Sequence, residues 1–142
     1  MAAPLHVEYD FTKPPERIYA YLAEHENLEP LFGAKITRLS EGTDGERDGV
    51  GSSRSMKIGP LPPFVETVTE AVPNQRIVYR ITEGSPLKGH VGVMAFSPTA
   101  AGGTHLVYDI NLDSSIPLLA RIVNASLKRS ILKSLPEVDR KA

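Results

Sequence analysis

Residues 116–135 (IPLLARIVNASLKRSILKSL) constrain the fold more than any other stretch of the chain. Apolar side chains recur in it at steps of three and four residues, which predicts one helix with a single apolar stripe formed by Leu119, Ile122, Val123, Leu127 and Ile131. Ser115 is the expected N-cap, Pro117 fits the first turn, and Pro136 predicts the end of the helix. About 20 residues make a rod of roughly 30 Å. Such a helix has to bury its stripe against another element.

The chain before this helix alternates between apolar and polar residues, as strands with one buried face do. Turn-forming residues divide it into seven predicted strands, at 5–11, 35–41, 50–58, 64–72, 76–83, 87–96 and 104–113. After the first strand, Pro14 and Pro15 open a predicted helix that runs to about residue 24. Asn27 is expected to cap a second short turn at 28–32, which Gly33 ends. This order predicts an α+β fold with an antiparallel sheet.

Length and charge limit the classes of protein to consider. The chain has 142 residues, which predicts one domain (1–142) with a core that needs no covalent staple. Sixteen basic and 17 acidic residues give a net charge of −1, which argues against nucleic acid as the main partner. The C-terminal segment is locally basic, but it has no interleaved aromatic residues on which bases could stack. Its basic side chains are therefore interpreted as a solvated helix face.

Several kinds of site are absent from the sequence. The chain has no cysteine, so disulfides, thiolate catalysis and cysteine-based metal sites are excluded. The four histidines do not fall at metal-ligand spacing, and no phosphate-binding, dinucleotide-binding or nucleophile-elbow motif occurs. No metal and no cofactor are therefore expected. No signal-peptide pattern and no membrane-spanning apolar run are visible, so a cytoplasmic protein without integral membrane association is expected.

Five short segments carry a resemblance to a known family. They are PPERI at 14–18, GVG at 49–51, TEAVP at 69–73, IVYRITEG at 77–84 and GGT at 102–104. With the order of the elements, they resemble the helix-grip fold of the START and birch-pollen-allergen superfamily, and most of all its bacterial polyketide cyclase/dehydrase-like (SRPBCC) members. The resemblance implies a curved seven-stranded antiparallel sheet wrapped around the long C-terminal helix, with two short helices after strand one and a largely apolar cavity. It implies no single activity, because lipid carriers, hormone receptors and cyclases share this fold.

Strand parity indicates which side chains face that cavity. On strand three Arg54 shares a face with Met56, and on strand four Glu66 shares a face with Phe64. Strand six has two apolar faces, so parity leaves the orientation of His90 open. The predicted ligand-binding residues are Arg54, Met56, Phe64, Glu66, Val68, Tyr79, Ile81, His90, Tyr108, Leu119, Val123 and Leu127. We expect a cavity on the order of 300–1,000 Å³.

Two functions remain open at this point. The first is to bind or carry a hydrophobic small molecule, such as a lipid, polyketide or other aromatic, as a monomer or homodimer with Arg54 and Glu66 as the polar anchor of the cavity. The second is a cyclase or dehydratase in which Arg54, Glu66, Tyr79 or His90 steers a proton. A third interpretation is that the domain acts through a protein partner. No catalytic residue is assigned, and the lack of a dedicated nucleophile or acid–base pair favours binding.

The same polar residues also have structural interpretations. Arg54 and Glu66 can simply neutralise each other. Tyr79 and Tyr108 can be core residues whose hydroxyl groups find a partner. His90 can be structural or exposed.

Overall fold

The structure, a computed structural model, describes residues 4–43, 45–84, 87–114 and 118–142. Its elements, in chain order, are β1 (Leu5–Phe11), α1 (Pro15–Ala23), a 3-10 turn (His25–Leu28), α2 (Glu29–Phe32), β2 (Lys35–Ser40), β3 (Ser53–Lys57), β4 (Phe64–Val72), β5 (Arg76–Glu83), β6 (Leu87–Pro98), β7 (Thr104–Ser114) and α3 (Leu119–Lys141). The predicted α+β fold, with its seven strands and its long last helix, is confirmed.

All seven strands form one antiparallel sheet in the order β1-β7-β6-β5-β4-β3-β2. From β2 to β7, strands that are consecutive in sequence are neighbours in the sheet, and β1 lies at the edge beside β7. The register shifts within three of the strand pairs, between β2 and β3, β4 and β5, and β6 and β7. Such bulges bend a strand and increase its twist. Gly89 lies in the shift of β6 with a φ of +60°, a conformation that glycine adopts without strain. The sheet is accordingly curved.

Helix α3 packs against β1, β7 and α2, and its apolar stripe joins the core of the sheet. The buried residues of α3 recur every three or four positions and are Ala120, Val123, Leu127, Ile131, Leu135 and Val138. No helix within the described ranges is both long and apolar enough to cross a bilayer.

The predicted end of α3 at Pro136 is wrong, because the helix continues through this proline to Lys141. Proline removes one helical N–H, and tertiary contacts of the following turn offset that loss. Val138 is buried in the core. The Asp139 carboxylate accepts hydrogen bonds from the backbone N–H of Thr12 at 3.0 Å and from its hydroxyl group at 3.0 Å.

The predicted beginning of α3 falls outside the described residues, since these include neither Ser115 nor Pro117. In the structure the helix begins at Leu119, after Leu118 in a left-handed conformation with a φ of 66°. The prediction that Ile122 belongs to the buried stripe is wrong, since this side chain is 64% exposed. Adjacent helical residues point about 100° apart, so a helix that buries Val123 in a narrow stripe leaves Ile122 outside.

Two further boundaries differ from the predictions for local reasons. Strand β3 begins at Ser53 and not at residue 50, because the preceding residues form a turn in which the Ser52 N–H donates to the carbonyl of Gly49 at 3.0 Å. Asn27 is not an N-cap, because it lies inside the 3-10 turn and its amide donates to the Tyr21 carbonyl at 2.9 Å. The end of α2 at Gly33 is confirmed, with a left-handed φ of 61°.

Candidate functional site

A small enclosed cavity lies between the sheet and α3, with a volume of about 20 Å³. It is lined by Phe32, Met56, Ile58, Phe64, Glu66, Tyr79, Ile81, His90, Ile110, Leu112, Val123 and Leu127. This volume holds about one water molecule. The predicted volume of several hundred Å³ is therefore wrong for this structure, because parity tells which side chains point inward and not how completely they fill the interior.

Arg54 and Glu66 form an ion pair in this interior, as predicted. The two residues are directly opposite each other on β3 and β4, and each side chain is 3% exposed. The Nε and Nη2 atoms of Arg54 both donate to Oε1 of Glu66, at 3.0 and 2.7 Å. The guanidinium carbon also lies 4.9 Å from the ring centroid of Tyr79, a cation–π contact. Arginine stays charged there, so it offsets the cost of burying the carboxylate.

The second carboxylate oxygen of Glu66 faces His90. The distance from Oε2 to Nε2 of His90 is 3.6 Å, which is too long for a hydrogen bond. Nδ1 of His90 is buried, and no described residue forms a hydrogen bond with it. Burial lowers the pKa of His90, while the charge of Glu66 acts to raise it, so the imidazole is neutral at pH 7. The orientation that parity left open is settled: His90 is 7% exposed and lines the cavity.

The hydroxyl groups of Tyr79 and Tyr108 are hydrogen-bonded to each other, so both buried tyrosines have a partner. Tyr79 lies on β5 opposite Gly92 of β6, whereas Tyr108 lies on β7. The ring of Tyr79 reaches across β6 because Gly92 has no side chain: a Cβ there would lie 2.1 Å from Cζ of Tyr79. Burial raises the pKa of both tyrosines, so both hydroxyl groups keep their protons.

A second buried polar cluster, which the sequence did not indicate, lies where the 3-10 turn meets the turn before β3. His25 is completely buried. The hydroxyl of Ser52 donates to the carbonyl of Gly49 at 2.7 Å, so Nε2 of His25 is the donor to Ser52 Oγ, at 3.1 Å. Burial, followed by the nearby charges of Arg54 and Arg38, lowers the pKa of His25 to about 4. This cluster ties the short helices to the sheet.

The structure brings together most of the predicted site residues. Those that line the cavity are Met56, Phe64, Glu66, Tyr79, Ile81, His90, Val123 and Leu127. Arg54, Val68 and Tyr108 are buried but do not line it, and Leu119 is half-buried at the start of α3. Their role in binding stays a prediction.

The predicted set of ligand-binding residues did not include four lining residues, which are Phe32, Ile58, Ile110 and Leu112. Alternation along the strands indicates that Ile58, Ile110 and Leu112 face the cavity, because they share strand faces with predicted residues. Phe32 reaches the cavity from α2, and strand parity says nothing about a helix.

The outer face of the sheet carries two histidines among carboxylates. His6 on β1 contacts Asp109 and Glu8, and the Nε2–Oε2 distance to Glu8 is 2.9 Å. His105 on β7 contacts Asp10 and, with Nε2 3.0 Å from Oε1, Glu8 as well. These hydrogen bonds raise the pKa of both histidines. No group of three or more such side chains in the described part of the chain has the arrangement of a metal site.

The four histidines should therefore titrate in two separate groups. We expect His6 and His105 to titrate above pH 6.5, His90 below it and His25 near pH 4, which NMR of the imidazole protons measures directly. Between pH 6.5 and about 4 the unfolded chain takes up a proton that native His25 does not, so acidification through this window lowers stability, by roughly 3 kcal/mol for His25.

The raised pKa values of His6 and His105 have the opposite effect on the pH dependence of stability. His6 and His105 stabilise the fold below pH 6.5, and this contribution disappears as the pH rises through their native pKa values. The variant His25→Gln should flatten the acid side of the stability profile and leave the alkaline side unchanged. A native His25 that titrates near pH 6.5 contradicts its burial.

Two larger hollows are open to solvent. One, of about 550 Å³, lies between α1, residues 46–49 and the turn from β4 to β5, and the other, of about 360 Å³, lies between the start of β1 and α3. Both have mixed polar and apolar walls. Of these three, the small cavity alone combines enclosure, apolar walls and buried charge, so it is the candidate site.

Comparisons with known proteins agree with this architecture. The family model described as polyketide cyclase/dehydrase and lipid transport matches residues 5–137. The structure of TTHA0849 from Thermus thermophilus is 20% identical, covers 97% of each chain and superposes with a TM-score of 0.75. The Zhui aromatase/cyclase from Streptomyces sp. R1128 is 16% identical over 99% of this chain and 93% of its own, with a TM-score of 0.77.

A START superfamily protein from Mycobacterium smegmatis is 16% identical over 95% of this chain and 92% of its own, with a TM-score of 0.73. A search of curated protein sequences gave no significant match. At these identities, the solved structures establish the fold alone.

Proposed function

The chain belongs to the polyketide cyclase/dehydrase and lipid transport family, and on that premise we propose that it binds a hydrophobic small molecule, such as a lipid, polyketide or other aromatic, between the sheet and α3. One observation carries this proposal. The otherwise apolar cavity is lined by Glu66, whose Oε2 is not used in the ion pair with Arg54, and by His90, whose buried Nδ1 has no hydrogen-bond partner among the described residues. Buried polar atoms normally have hydrogen-bond partners, and a polar group on a ligand would supply one.

The free polar atoms favour a ligand with a hydroxyl group. Arg54 is already paired with Oε1 of Glu66, so a ligand carboxylate would meet the negative charge of Glu66 without a free cation among the lining residues to balance it. A phenol, enol or alcohol can instead donate to Oε2 of Glu66 while the apolar walls contact the rest of the molecule. The expected ligand is therefore an aromatic or aliphatic molecule with a hydroxyl end.

Binding a molecule of that size requires the interior to open, because its volume is about 20 Å³ and ligand sites usually measure several hundred. The short helix α2 is the element best suited to move, since it has only four residues and contributes Phe32 to the cavity wall. The hydroxyls of Ser130 and Ser134 hold it on α3 by donating to the carbonyl of Pro30, at 3.1 and 3.0 Å. We propose that displacement of α2 admits the ligand.

A thermal-shift screen tests the proposal and its chemical class together. Hydroxypyrene should raise the melting temperature by several degrees, because a ligand at about 100 times its Kd stabilises the native state by about 2.7 kcal/mol. The matched compounds pyrene carboxylate and palmitate should give smaller shifts. If no hydrophobic compound shifts the melting temperature while a soluble polar metabolite does, the proposal is wrong.

The second candidate function is a cyclase or dehydratase reaction in the same cavity. The observation that favours it is the neutral His90 imidazole beside the carboxylate of Glu66, a pair that can remove a proton from carbon between two carbonyl groups. The variant Glu66→Gln separates the two functions because it keeps the shape of the side chain. It should weaken hydroxypyrene binding modestly in either case, and it should abolish the cyclisation of a short poly-β-ketone only if Glu66 moves a proton.

A further inference from the structure

The outer face of α3 exposes large apolar side chains. Ile122, Leu118 and Leu132 are 64%, 55% and 45% exposed, and they account for half of the six large apolar residues that the described surface exposes. At 100° per residue, Ile122 and Leu132 point within about 80° of each other on α3, and Leu118 directly precedes the helix. They therefore form one stripe, although the same helix buries a complete apolar stripe on its other side.

Basic residues surround this outer stripe. On the helix, Arg121 and Lys128 flank it on one side, Lys133 flanks it on the other, and Arg129 lies within it. None of the four forms an ion pair within the described ranges.

The two carboxylates of α3 do not neutralise these residues. Asp139 accepts hydrogen bonds from Thr12, and Glu137 pairs with Arg140 and Lys141. In the described part of the chain, four uncompensated cations thus surround an exposed apolar stripe.

The groove of about 360 Å³ between the start of β1 and α3 adjoins this face. Arg121 and Lys128 both line it, together with His6 and the short side chain of Ala125. His6 is balanced by its contacts with Asp109 and Glu8, so Arg121 and Lys128 supply the net positive charge. The groove therefore suits an anionic headgroup beside the apolar stripe.

We propose that the outer face of α3, defined by Leu118, Arg121, Ile122, Lys128, Arg129, Leu132 and Lys133, docks on the surface of an anionic phospholipid bilayer. Exposed apolar residues flanked by lysine and arginine are the pattern of helices that lie in the bilayer interface. Charge complementarity selects this occupant over a second copy of the chain, because a symmetric dimer through this face would bring eight like charges together.

Docking would also place the ligand site next to the bilayer. Val123 and Leu127, on the opposite side of the same turns of α3, line the cavity. The docking proposal does not depend on what the cavity binds, since its residues are separate from the cavity lining. It can be tested without any ligand.

The absence of tryptophan from the sequence allows a direct test. The variant Ile122→Trp places one indole in the outer face, and its emission should shift to shorter wavelength on addition of vesicles made of equal parts phosphatidylcholine and phosphatidylglycerol. Vesicles of phosphatidylcholine alone should give little shift. The matched control is Leu39→Trp, because Leu39 is 54% exposed on β2, and this variant should not respond to either.

Charge reversal gives a second, independent measurement by co-sedimentation with the same vesicles. Lys128→Glu should weaken partitioning more than about tenfold, because each basic residue near an anionic surface contributes about 1 kcal/mol and reversing the charge doubles this change. Arg80→Glu makes the same charge change on an exposed residue of β5 and should have little effect, and added salt should weaken binding of the unaltered protein.

Three outcomes overturn the docking proposal. They are equal partitioning to neutral and anionic vesicles, equal effects of Lys128→Glu and Arg80→Glu, and an Ile122→Trp emission shift that follows protein concentration without vesicles. The last outcome would indicate a second copy of the chain on this face. Melting temperature and hydroxypyrene binding should stay unchanged in Lys128→Glu, so a failure of docking is distinguishable from a failure of the proposed function.

Discussion

Replacing Arg54 by methionine is expected to lower the free energy of unfolding at neutral pH by about 3–5 kcal/mol, because Glu66 is left charged and without its partner in apolar surroundings. Both side chains are 3% exposed, so water cannot take the place of the guanidinium without entering the core. Methionine has a similar length and an apolar side chain, so the loss reports on the charge and not on an empty volume. Urea unfolding of the variant and the unaltered protein measures the difference.

Two controls separate the buried pair from an ordinary surface pair. The double variant Arg54→Met with Glu66→Leu should recover most of the stability, because replacing a buried ion pair by apolar residues is often neutral. Arg76 and Glu70 form a pair at 3.3 Å with side chains 49% and 45% exposed, so Arg76→Met should cost less than about 1 kcal/mol. Equal losses for Arg54→Met and Arg76→Met would contradict the burial of the pair.

Replacing Gly92 by alanine is expected to lower the free energy of unfolding by about 2–3 kcal/mol. The added Cβ would lie 2.1 Å from Cζ of Tyr79, so the ring has to leave its place across β6 and its hydroxyl loses Tyr108. The backbone of Gly92 does not have a positive φ, so the cost comes from the side-chain clash alone. Thermal unfolding monitored by the tyrosine near-UV signal measures both the loss of stability and the displaced ring.

Gly89 provides the matched glycine for this experiment. It lies three residues earlier on the same strand with a φ of +60°, and among the described residues no atom beyond its two chain neighbours lies within 4 Å of the position of an added Cβ. Gly89→Ala should therefore cost about 1 kcal/mol through backbone strain, and Tyr79→Leu should not change that cost. In contrast, Tyr79→Leu should remove much of the effect of Gly92→Ala, because the clashing ring is gone. Additive effects of Gly92→Ala and Tyr79→Leu would contradict the contact.

The sequence by itself determined the features that depend on local periodicity. Strands β4 and β5 run between the predicted residues because turn-forming residues bound two alternating segments. Alternation along β3 and β4 also placed Arg54 and Glu66 on the inner face, since successive side chains of a strand point to opposite sides. Propensity, alternation and turn chemistry act over a few residues, so they can be read without knowing what lies across the sheet.

Only the tertiary structure decided the features that depend on residues far apart in the chain. Helix α3 continues past Pro136 because Val138 and Asp139 find partners in the core and on the segment after β1. His90 faces inward on a strand whose two faces are both apolar, so its neighbours across the sheet settled what its own strand left open.

The size of the cavity could not be predicted from the sequence for the same reason. Tyr79 fills the interior only because Gly92, on another strand, leaves room for its ring. Packing depends on the summed shapes of side chains from several elements, and a one-dimensional pattern records the direction of each side chain but not the space that its distant neighbours occupy.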